Sequence, residues 1–436
     1  MKVLVIGSGG REHALVWKLS QSPRVKKIYC APGNAGIGLL AECVSLAPED
    51  VAGLAGFARS NSIDLTIVGP ELPLSLGLVD EFERQGLKVF GPLRKAAVLE
   101  FSKCFTKEFC ARHKIPTAPF QIFTDPSGAR QAVKERKSFP VVIKADGLAA
   151  GKGVIVAKDE AEALKAVKEM LVDEKFGPAG RKVILEEFLP GVEATFMVLA
   201  NGADFVCLET SQDHKRVFDN DEGPNTGGMG AISPAPAVTK EINEKVIRKI
   251  IQPALMGLLA EDRPYRGVLY AGLMIRDDEP HLIEFNCRFG DPEAQAILFR
   301  LESDLIELIE AAMAGKLKSF PIQFRPEPSV CVVMTAGGYP GPFEKGKVIL
   351  GLDKASGMKD LFVFHAGTRK DNGGFVTHGG RVLGVTAQGR DFKKAIERAY
   401  EGVYAISWEG VHFRRDIGAK ILMRPGTRDQ GPGTRD

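Results

Sequence analysis

Short apolar runs alternate with helical stretches along the first hundred residues. The runs at 3–6, 28–30 and 65–68 each end in a turn of small residues, GSGG, APGNAG and GP respectively. Because strands that alternate with helices form βαβ units, this pattern predicts a parallel, Rossmann-like sheet over residues 1–100. Ligands of such sheets bind at the carboxyl ends of the strands, where these glycine turns lie.

The pattern then changes. A helical stretch near 94–113 leads to two apolar segments, PVVIKA (140–145) and VIVA (154–157), which flank a short loop rich in glycine. Strands joined so closely pair antiparallel, because a parallel crossover needs a dozen or more residues. With a further strand at 183–187, we predict a small α+β lobe over residues 101–188.

The remaining chain predicts two further α+β units. The first is a larger lobe over residues 189–325, with strands at 194–200, 268–275 and 281–286 and helices near 240–259 and 293–314. Within it, residues 211–236 show no periodicity, and an irregular segment of that length is usually functional. The second is a β-rich C-terminal domain over residues 326–423, with strands near 329–335, 346–350, 361–366 and 381–386 and a helix at 391–406. Residues 424–436 lack an apolar anchor, so we expect a disordered tail.

Composition and charge disfavour several classes of protein. The chain has 58 Lys and Arg against 55 Asp and Glu, a net charge of +3 over 436 residues, which argues against a nucleic-acid or membrane partner. No segment approaches the roughly 18 consecutive apolar residues of a transmembrane helix. The seven cysteines form no CxxC pair, so we expect reduced thiols and a cytoplasmic protein. The histidines lack the spacing of a metal site.

The first glycine turn, GSGGRE, allows more than one interpretation. A glycine turn between a strand and a helix presents backbone N–H groups to an anion, which predicts a site for a small phosphorylated ligand with Arg11 as counter-charge. The same turn is also typical of a helix packed tightly on a sheet. A dinucleotide site is disfavoured, because Glu12 replaces the third glycine of G-x-G-x-x-G and no acid ends the second strand.

The hairpin loop ADGLAAGKGV is similar to a phosphate-binding loop but is not a Walker A motif. Gly153 follows Lys152 where Ser or Thr is needed, and the loop joins two strands rather than a strand and a helix. A glycine flap can still fold over phosphates and donate N–H groups, and a solvated hairpin tip is the alternative. Lys144 ends the first strand inside an apolar lobe, where a cation is costly unless it meets an anion.

The segment HLIEFNCRFGDPEAQ (281–295) is a candidate metal site. Alternation along a strand places Glu284 and Asn286 on one face and directs Ile283 and Phe285 to the other. A carboxylate and an amide oxygen suit Mg²⁺, which prefers oxygen ligands and keeps substrate phosphates and waters. The alternative is a half-buried strand with a polar face. The following Asp-Pro pair, residues 291–292, predicts the N-cap and first residue of the next helix.

A second acidic segment, VILEEFLPGVEATF (183–196), links two strands. Exposed backbone at such a link can pair with an adenine edge, and a nearby carboxylate can bind ribose, although acids beside a turn are usually solvated surface. Three features together resemble the ATP-grasp fold. They are a cationic hairpin with a glycine flap, an acidic link between two strands, and a strand with E-x-N-x-R. In that fold a nucleotide lies between two α+β lobes.

One family within that fold is more closely similar. The segments that carry the resemblance, in chain order, are VIGSGGREHAL, APGNAG, TIVGPE, VIKADGLAAGKGVIVA, TSQDHKR, GPNTGGMGA and IEFNCRFGDPE. They resemble the phosphoribosylamine–glycine ligase family, also called the glycinamide ribonucleotide synthetases. The resemblance extends from residue 1 to about 420 and makes residues 1–100 the expected substrate domain.

The resemblance also implies the residues of a nucleotide site. The residues that match ATP contacts are Lys103, Lys144, Gly151, Lys152, Gly153, Glu186, Glu187, Phe188, Leu189 and Glu193. Within this set the lysines meet the phosphates, the glycines form the flap, the link contacts adenine, and Glu193 binds ribose. Glu284 and Asn286 match the ligands of Mg²⁺, which Mn²⁺ could replace. The strand at 268–275 lacks the third metal carboxylate common in the superfamily, so water or Asp277 would take its place.

Substrate and catalytic residues follow from the same resemblance. The residues that match substrate contacts are Gly10, Arg11, Glu12, Asn34, Glu71, Asp213, Lys215 and Arg288. The expected catalytic residues are Lys144, Asp213 and Arg288, with Arg288 facing the transferred phosphoryl group.

The implied activity is an ATP-dependent ligase that forms a C–N bond in purine biosynthesis. It would join glycine to 5-phosphoribosylamine through glycyl phosphate, giving glycinamide ribonucleotide, ADP and phosphate, with small-molecule partners only and a monomer or weak dimer as the assembly. Another ATP-grasp ligase, such as a purine-pathway carboxylase subunit, is one alternative, but it should lack GSGGRE and TSQDHKR. A non-catalytic ATP-binding regulator is another, but it would need neither Glu284 nor Asn286.

Overall fold

The computed structural model describes residues 1–148, 153–173 and 175–422. The N-terminal unit is a five-stranded parallel sheet in the order β3-β2-β1-β4-β5, which confirms the predicted parallel sheet. Its elements are β1 (Lys2–Gly7), α1 (Gly10–Leu19), β2 (Lys27–Pro32), β3 (Glu42–Cys43), α2 (Val51–Ser60), β4 (Leu65–Val68), α3 (Glu71–Ser75), α4 (Leu78–Arg84), β5 (Val89–Phe90) and α5 (Arg94–Phe101). The central strand β1 is buried along almost its whole length, as a parallel sheet covered on both faces requires.

The small lobe is an antiparallel sheet in the order β6-β9-β7-β8 with helices packed on it. Its elements are α6 (Lys103–Arg112), β6 (Phe120–Phe123), α7 (Pro126–Lys134), β7 (Val141–Ala145), β8 (Val154–Ala157), α8 (Glu160–Leu171) and β9 (Val183–Glu187). The predicted hairpin is confirmed by the antiparallel pairing of β7 with β8. The single helix predicted near 94–113 is wrong, because the Ser102 hydroxyl accepts a hydrogen bond from Phe105 N and begins a new helix, α6.

The large lobe is built on an antiparallel sheet in the order β11-β10-β16-β17. Its elements are β10 (Val192–Asn201), β11 (Asp204–Cys207), β12 (Gln212–Asp213), β13 (Arg216–Phe218), β14 (Glu222–Asn225), β15 (Gly230–Ser233), α9 (Lys240–Val246), α10 (Gln252–Ala260), β16 (Arg266–Arg276), β17 (Glu279–Asn286), α11 (Glu293–Arg300) and α12 (Leu305–Met313). A π-helical turn, Ile247–Ile251, joins α9 to α10.

Two predictions about helices in this lobe are wrong. The helix expected over 293–314 is divided, because the Asp304 carboxylate accepts a hydrogen bond from Ile306 N and caps a second helix. Asp291 is not the N-cap of α11, which begins at Glu293. Its carboxylate instead pairs with Arg381 and accepts a hydrogen bond from Gln295, so it ties the lobe to the C-terminal domain.

The segment at 211–236 contains four short strands, so the expectation of an irregular segment is wrong. Strands β12 and β15 belong to a sheet of the C-terminal domain, in which Gly230 pairs with Val332 of β18 (Ser329–Thr335). This pairing joins residues about a hundred positions apart, and local periodicity carries no signal for such a partner. The segment therefore links the large lobe to the C-terminal domain.

The C-terminal domain is β-rich, as predicted. After β18 its elements are β19 (Val348–Ile349), α13 (Leu352–Ser356), β20 (Leu361–His365), β21 (Thr368–Asp371), β22 (Gly374–Thr377), β23 (Arg381–Gln388), α14 (Phe392–Ala405) and α15 (Ala419–Leu422). Its main sheet has the order β12-β15-β18-β23-β20, and β19, β22 and β21 form a smaller sheet that includes a hairpin not predicted from the sequence. The tail predicted at 424–436 lies outside the described residues.

The apolar cores join some parts of the four units and leave others separate. Leu4 of the N-terminal sheet and Phe196 of the large lobe belong to one core, and Val3 and Ile297 belong to another, so these two units share their interior. The sheet of the small lobe has its own core around Ile143, while Phe109 of α6 belongs to the first shared core. All seven cysteines are free thiols. In the part of the chain that the structure describes, no helix has both the length and the apolarity to cross a membrane.

Three buried histidines make stability depend on pH. His13 Nδ1 accepts a hydrogen bond of 2.7 Å from the backbone N–H of His365, which joins α1 to β20. Burial, together with His365, lowers the pKa of His13 to about 3, and burial lowers the pKa of His365 to about 4. Burial and Arg414 lower the pKa of His214 to about 4. These side chains stay neutral in the folded state. In the unfolded chain a histidine has its ordinary pKa near 6.5 and binds a proton below that pH.

We therefore expect stability to fall as the pH is lowered from 6.5 to 5, by about 2 kcal/mol for each of the three groups. Urea unfolding at several pH values measures this change. His13→Gln should reduce the pH dependence, because glutamine does not titrate, whereas His281→Gln on β17 serves as the matched control and should retain it. An unfolding midpoint that stays constant over this range would contradict the assignment.

Candidate functional site

A cavity of about 1290 Å³ lies where the four units meet. Its wall includes Arg11 of the N-terminal unit, Lys144 of the small lobe, Glu284 of the large lobe and Tyr339 of the C-terminal domain. A site for one small ligand usually measures 300–1,000 Å³, so this volume accommodates more than one molecule. The cavity is therefore the candidate active site.

Lys144 meets the anion that its apolar surroundings require. Its ammonium lies 2.9 Å from Glu186 Oε1, and Lys107 Nζ lies 3.0 Å from the other carboxylate oxygen of Glu186. All three side chains are buried, and Lys107 also donates a hydrogen bond to Thr117. Burial lowers the pKa of Lys107, and Glu186 opposes that change. Glu186 thus holds two cations at the cavity wall, and one of them, Lys107, was not predicted from the sequence.

Lys103 lies at the base of the glycine hairpin. Its ammonium donates a hydrogen bond of 2.9 Å to the carbonyl of Gly147, and the Asp146 carboxylate accepts hydrogen bonds from Ser102 and from the backbone of Cys104. The start of α6 and the start of the hairpin loop are thereby fixed to each other. Gly153 lines the cavity, whereas the predicted flap residues Gly151 and Lys152 lie outside the described residues.

The link after β9 offers free backbone only beyond Glu187. Glu186 pairs with strands on both sides, and Glu187 pairs with Val141 and donates to the carbonyl of Pro119. The next two residues, Phe188 and Leu189, line the cavity and form no backbone hydrogen bond with any other described residue. Phe188 and Leu189 are therefore the residues of the link whose backbone is open to the cavity, while the Glu186 side chain is engaged with the lysines.

A β-bulge sets the orientation of Glu284. Gly272 pairs with Glu284 but Leu273 pairs with Leu282, which leaves Ile283 as the extra residue in β17. Leu282 and Phe285 belong to the core, and Ile283 and Glu284 are both partly exposed at the cavity. The prediction that Ile283 points away from Glu284 is wrong, because a bulge interrupts the alternation of a strand.

Lys215 joins two predicted ligand-binding acids. Its ammonium lies 3.3 Å from Glu193 and 3.7 Å from Glu284. Glu193 raises the pKa of Lys215 well above its ordinary value. Burial raises the pKa of Glu284, but Lys215, Lys144 and Lys103 outweigh it, so the net shift is downward and the carboxylate is ionised.

The donors at Glu284 fit a divalent cation. The ionised carboxylate faces the cavity, and the amide oxygen of Asn286, which also lines it, accepts from the described residues only a 3.4 Å hydrogen bond from Arg288. Two oxygen donors beside space for phosphates are what Mg²⁺ requires of a protein. Asp277 does not reach this site, because it lies in the β16–β17 turn, with its side chain 86% exposed, paired with Arg276. No cluster of three or more His, Cys, Asp or Glu that could hold a metal occurs among the described residues.

Arg288 connects this site with the N-terminal unit. Its guanidinium lies 3.0 Å from Glu100 of α5 and 3.4 Å from Glu71 of α3, and Glu71 is also 4.0 Å from Arg11. Burial opposes the charged form, but Glu100 and Glu71 raise the pKa of Arg288 further. Arg11, Glu71 and Arg288 thus form one charged group at the cavity wall.

The backbone of the first glycine turn forms a hydrogen bond with a side chain of the helix that follows it, α1. Gly9 N donates a hydrogen bond of 2.6 Å to Glu12 Oε2, and the other Glu12 oxygen pairs with Arg11. A Cβ atom at Gly10 would lie 2.5 Å from Gln295 Nε2, so Gly10 permits close packing of α1 against α11. Because Glu12 already supplies the negative charge, the turn fits tight helix packing better than an anion site.

Asn34 is likewise engaged within the protein. Its amide nitrogen donates to the carbonyls of Ser8 and His365, and its oxygen accepts from the backbone of Gly36 and Ile37. These four bonds use the full capacity of the side chain. The structure brings the predicted residues Arg11, Glu71, Asp213, Lys215 and Arg288 to the cavity wall but does not place Gly10, Glu12 or Asn34 there.

Comparison with known proteins identifies the family. The family models for the N, ATP-grasp (A) and C domains of phosphoribosylglycinamide synthetase match residues 1–100, 101–294 and 329–420. The chain belongs to the phosphoribosylglycinamide synthetase family. Curated relatives named phosphoribosylamine–glycine ligase include one from Vibrio vulnificus, 54% identical over 97% of this chain and 99% of its own, and one from Caldanaerobacter subterraneus, 51% identical over 96% and 100%.

Solved structures agree with this family. Phosphoribosylamine–glycine ligase from Thermotoga maritima has a TM-score of 0.83 at 34% identity and covers 96% of this chain and 100% of its own. A biotin carboxylase from Campylobacter jejuni in complex with an ATP analogue has a TM-score of 0.74 at 14% identity, covering 97% and 95%, which shows a shared fold only. The chain is therefore an ATP-dependent ligase of purine biosynthesis, and membership of the synthetase family implies a divalent metal with ATP and the substrates glycine and phosphoribosylamine.

Several charged residues of the synthetase cavity were not predicted from the sequence motifs. They are Glu100, Lys107, Asp291, Glu293 and Arg381. Glu293 and Asp291 lie within the GDPE segment that carried the resemblance, so proximity to Glu284 could have indicated them. Glu100 and Lys107 lie on helices, and Arg381 begins a strand of another domain, so their sequence positions carry no comparable signal.

We expect the Lys107–Glu186–Lys144 network to be needed for the stability of the synthetase. Glu186→Gln should lower the free energy of unfolding by about 3 kcal/mol, because two buried ammonium groups lose their anion. Urea denaturation followed by circular dichroism measures the loss. The matched control is Glu187→Gln, since Glu187 is the next residue and exposed; equal effects of the two substitutions would contradict the argument.

Proposed function

We propose that the chain makes glycinamide ribonucleotide in two steps within this one cavity. The glycine carboxylate attacks the γ-phosphoryl group of ATP, giving glycyl phosphate and ADP. The amine of 5-phosphoribosylamine then attacks the acyl carbon, forms the C–N bond, displaces phosphate and loses a proton. The observation that carries the proposal is that Lys144 of the small lobe and the segment with Glu284 and Arg288, about 140 residues further along the chain, line the same cavity.

The ATP end of the cavity lies between the lobes. Phe188 and Leu189 offer backbone groups to the adenine edge, and Glu193 offers a carboxylate to ribose. Lys103 and Lys144 lie on the side toward the hairpin, where their ammonium groups can meet phosphates. Lys215 forms ion pairs with the carboxylates of Glu193 and Glu284. The ribose of an incoming nucleotide and its divalent cation would take the place of Lys215 at these two carboxylates.

Glu284 and Asn286 would hold the divalent cation, for which we propose Mg²⁺. A bound Mg²⁺ neutralises charge on the phosphate oxygens. Arg288 and Lys144 add positive charge on the same wall, and their positions are fixed by Glu100 and Glu186. Groups held in place in this way stabilise the charge that develops during phosphoryl transfer.

The substrates would occupy the end of the cavity formed by the N-terminal unit and the 211–236 segment. Arg11 and Glu71 of the N-terminal unit and Asp213 and Lys215 of the 211–236 segment line the cavity. Glycyl phosphate is readily hydrolysed, so water must be excluded before the amine attacks. We infer that the loop that follows Gly147, whose carbonyl accepts a hydrogen bond from Lys103, would cover the reacting groups. Cytoplasmic location and a monomeric or weakly dimeric state remain predictions from the sequence.

We expect Lys144→Ala and Glu284→Ala each to lower kcat by about 10²–10³, because each removes a charge that acts on the phosphoryl group or its cation. Release of phosphate in the presence of ATP, glycine and freshly generated phosphoribosylamine measures turnover. The matched control is Lys393→Ala on the exposed face of α14, which should keep wild-type activity. Near-normal turnover by either cavity variant, with folding verified by circular dichroism, would contradict the proposal.

A further inference from the structure

The β13–β14 hairpin forms part of the cavity wall without belonging to a larger sheet. Among the described residues, its two strands pair only with each other. A two-stranded hairpin alone is marginally stable in water, so contacts outside its own ladder must hold it in place. Arg216 and Asn225, which pair in this ladder, both line the cavity. Movement of the hairpin would therefore change the cavity wall.

The tip of the hairpin has an unfavourable backbone conformation. Asn220 and Asp221 follow each other with φ of +58° and +57°. These left-handed values are uncommon for residues other than glycine, although Asn and Asp adopt them more readily than most. Such conformations persist where the surrounding structure imposes them. The tip therefore depends on contacts from elsewhere in the fold.

A segment close to the end of the C-terminal domain provides these contacts. The backbone N–H of Arg415 donates a hydrogen bond of 2.7 Å to Asp219 Oδ1. In the opposite direction, the backbone N–H of Asn220 donates one of 2.9 Å to Asp416 Oδ2. These bonds join residues 196 positions apart, so the hairpin is attached to the C-terminal domain rather than to its neighbours in sequence.

The buried guanidinium of Arg414 is the centre of this attachment. Its side chain is 0% exposed, and Nη1 donates hydrogen bonds of 2.7 Å to Asp221 Oδ1 and 3.2 Å to the carbonyl of Arg216. Nε and Nη2 each donate a bond of 2.7 Å to the carboxylate of Asp416. The planar guanidinium thereby binds the tip and the first strand of the hairpin at once, which the single nitrogen of a lysine cannot do.

This attachment extends to Lys215, which directly precedes β13. The Lys215 carbonyl accepts hydrogen bonds of 2.8 Å from both the backbone N–H and the hydroxyl of Thr226, which follows β14. The carbonyl of the next residue, Arg216, is the one that Arg414 binds. The backbone of Lys215 is therefore fixed at the open end of the hairpin, and its ammonium forms ion pairs with two acids of the cavity.

We propose that Arg414 is a positioning residue of the active site. By holding the hairpin, its guanidinium keeps Lys215 in place at the cavity wall. The inference rests on the proposed function, in which Lys215 lies at the substrate end of the cavity. Arg414 is not one of the residues that line the cavity, so it acts on turnover only through the group that it positions.

A double-mutant cycle on kcat, measured by phosphate release, tests this role. We expect Arg414→Met to lower kcat about 10-fold to 100-fold, because a small displacement of an active-site group has effects of this size. In a Lys215→Ala background, which should itself lower kcat, the same substitution should lower it further by no more than about twofold. The matched control is Arg415→Met, because this exposed neighbour binds Asp219 through its backbone, and it should keep wild-type kcat.

A second variant and a second measurement do not depend on the stability of Arg414→Met. Arg414→Lys keeps the buried charge but loses part of the bonding, so we expect an intermediate kcat and the same lack of additivity with Lys215→Ala. Hydrogen exchange followed by mass spectrometry should be at least about tenfold faster over residues 216–225 in both Arg414 variants than in the wild type and Arg415→Met. Exchange over β16 should stay unchanged in all of them.

Two kinds of result would overturn the positioning role while leaving the ligase activity intact. The first is near-normal turnover by Arg414→Met or Lys215→Ala, or equal losses of kcat from the Arg414 substitutions in the two backgrounds. The second is exchange over the hairpin that matches the wild type. Phosphate release by the wild type that does not depend on glycine would instead overturn the proposed function, whereas faster exchange over the hairpin would still show its attachment by Arg414.

Discussion

Burial of charge in a shared cavity is the constraint on which the rest of this structure depends. Lys103, Lys144 and Lys215 surround Glu284, and taking so many charges out of water is unfavourable unless each meets an opposite charge. Glu186 meets Lys144, Glu193 meets Lys215, and Glu100 meets Arg288 at the same wall. The pairs stabilise the cavity without a ligand, and they keep its cations in position for phosphates.

The packing of the units determines which parts of the cavity wall can move. The N-terminal sheet and the large lobe share two apolar cores, so separating them would expose core residues such as Leu4 and Phe196. The sheet of the small lobe packs around its own core near Ile143, whereas Phe109 of α6 belongs to the core that the other two units share. A ligand that competes for the Lys144–Glu186 pair therefore acts on a sheet whose apolar core is separate from theirs.

Local pattern was sufficient for elements that depend on neighbours in sequence. The β7–β8 hairpin follows from its short glycine loop, and the parallel sheet follows from strands that alternate with helices. The bulge at Ile283 could not be predicted, since one inserted residue in the pairing with β16 reverses the faces without changing the apolar pattern. The pairing of β15 with β18, and with it the position of Asp213, also depends on a distant strand.

The residues of the candidate site also divide into those that could be predicted from local sequence and those that depend on distant contacts. Glu284, Lys144 and Arg288 lie in recognisable motifs and line the cavity together, as expected from the family resemblance. Lys107 was missed because only the folded small lobe brings this helix residue to Glu186. Glu12 and Asn34 lie in equally recognisable motifs, yet both side chains are hydrogen-bonded within the protein. Glu12 caps its own helix, and Asn34 donates to the carbonyl of His365 in the C-terminal domain. A motif therefore indicates that a residue matters, and its hydrogen bonds show whether it is free to bind a ligand.

The most direct measurement is a crystal structure of the protein with a non-hydrolysable ATP analogue, Mg²⁺ and glycine. The account predicts adenine beside Phe188 and Leu189, phosphates between Lys144 and Arg288, and the ion on Glu284 and Asn286. An empty cavity under saturating ligand, or an ion bound away from Glu284, would contradict it.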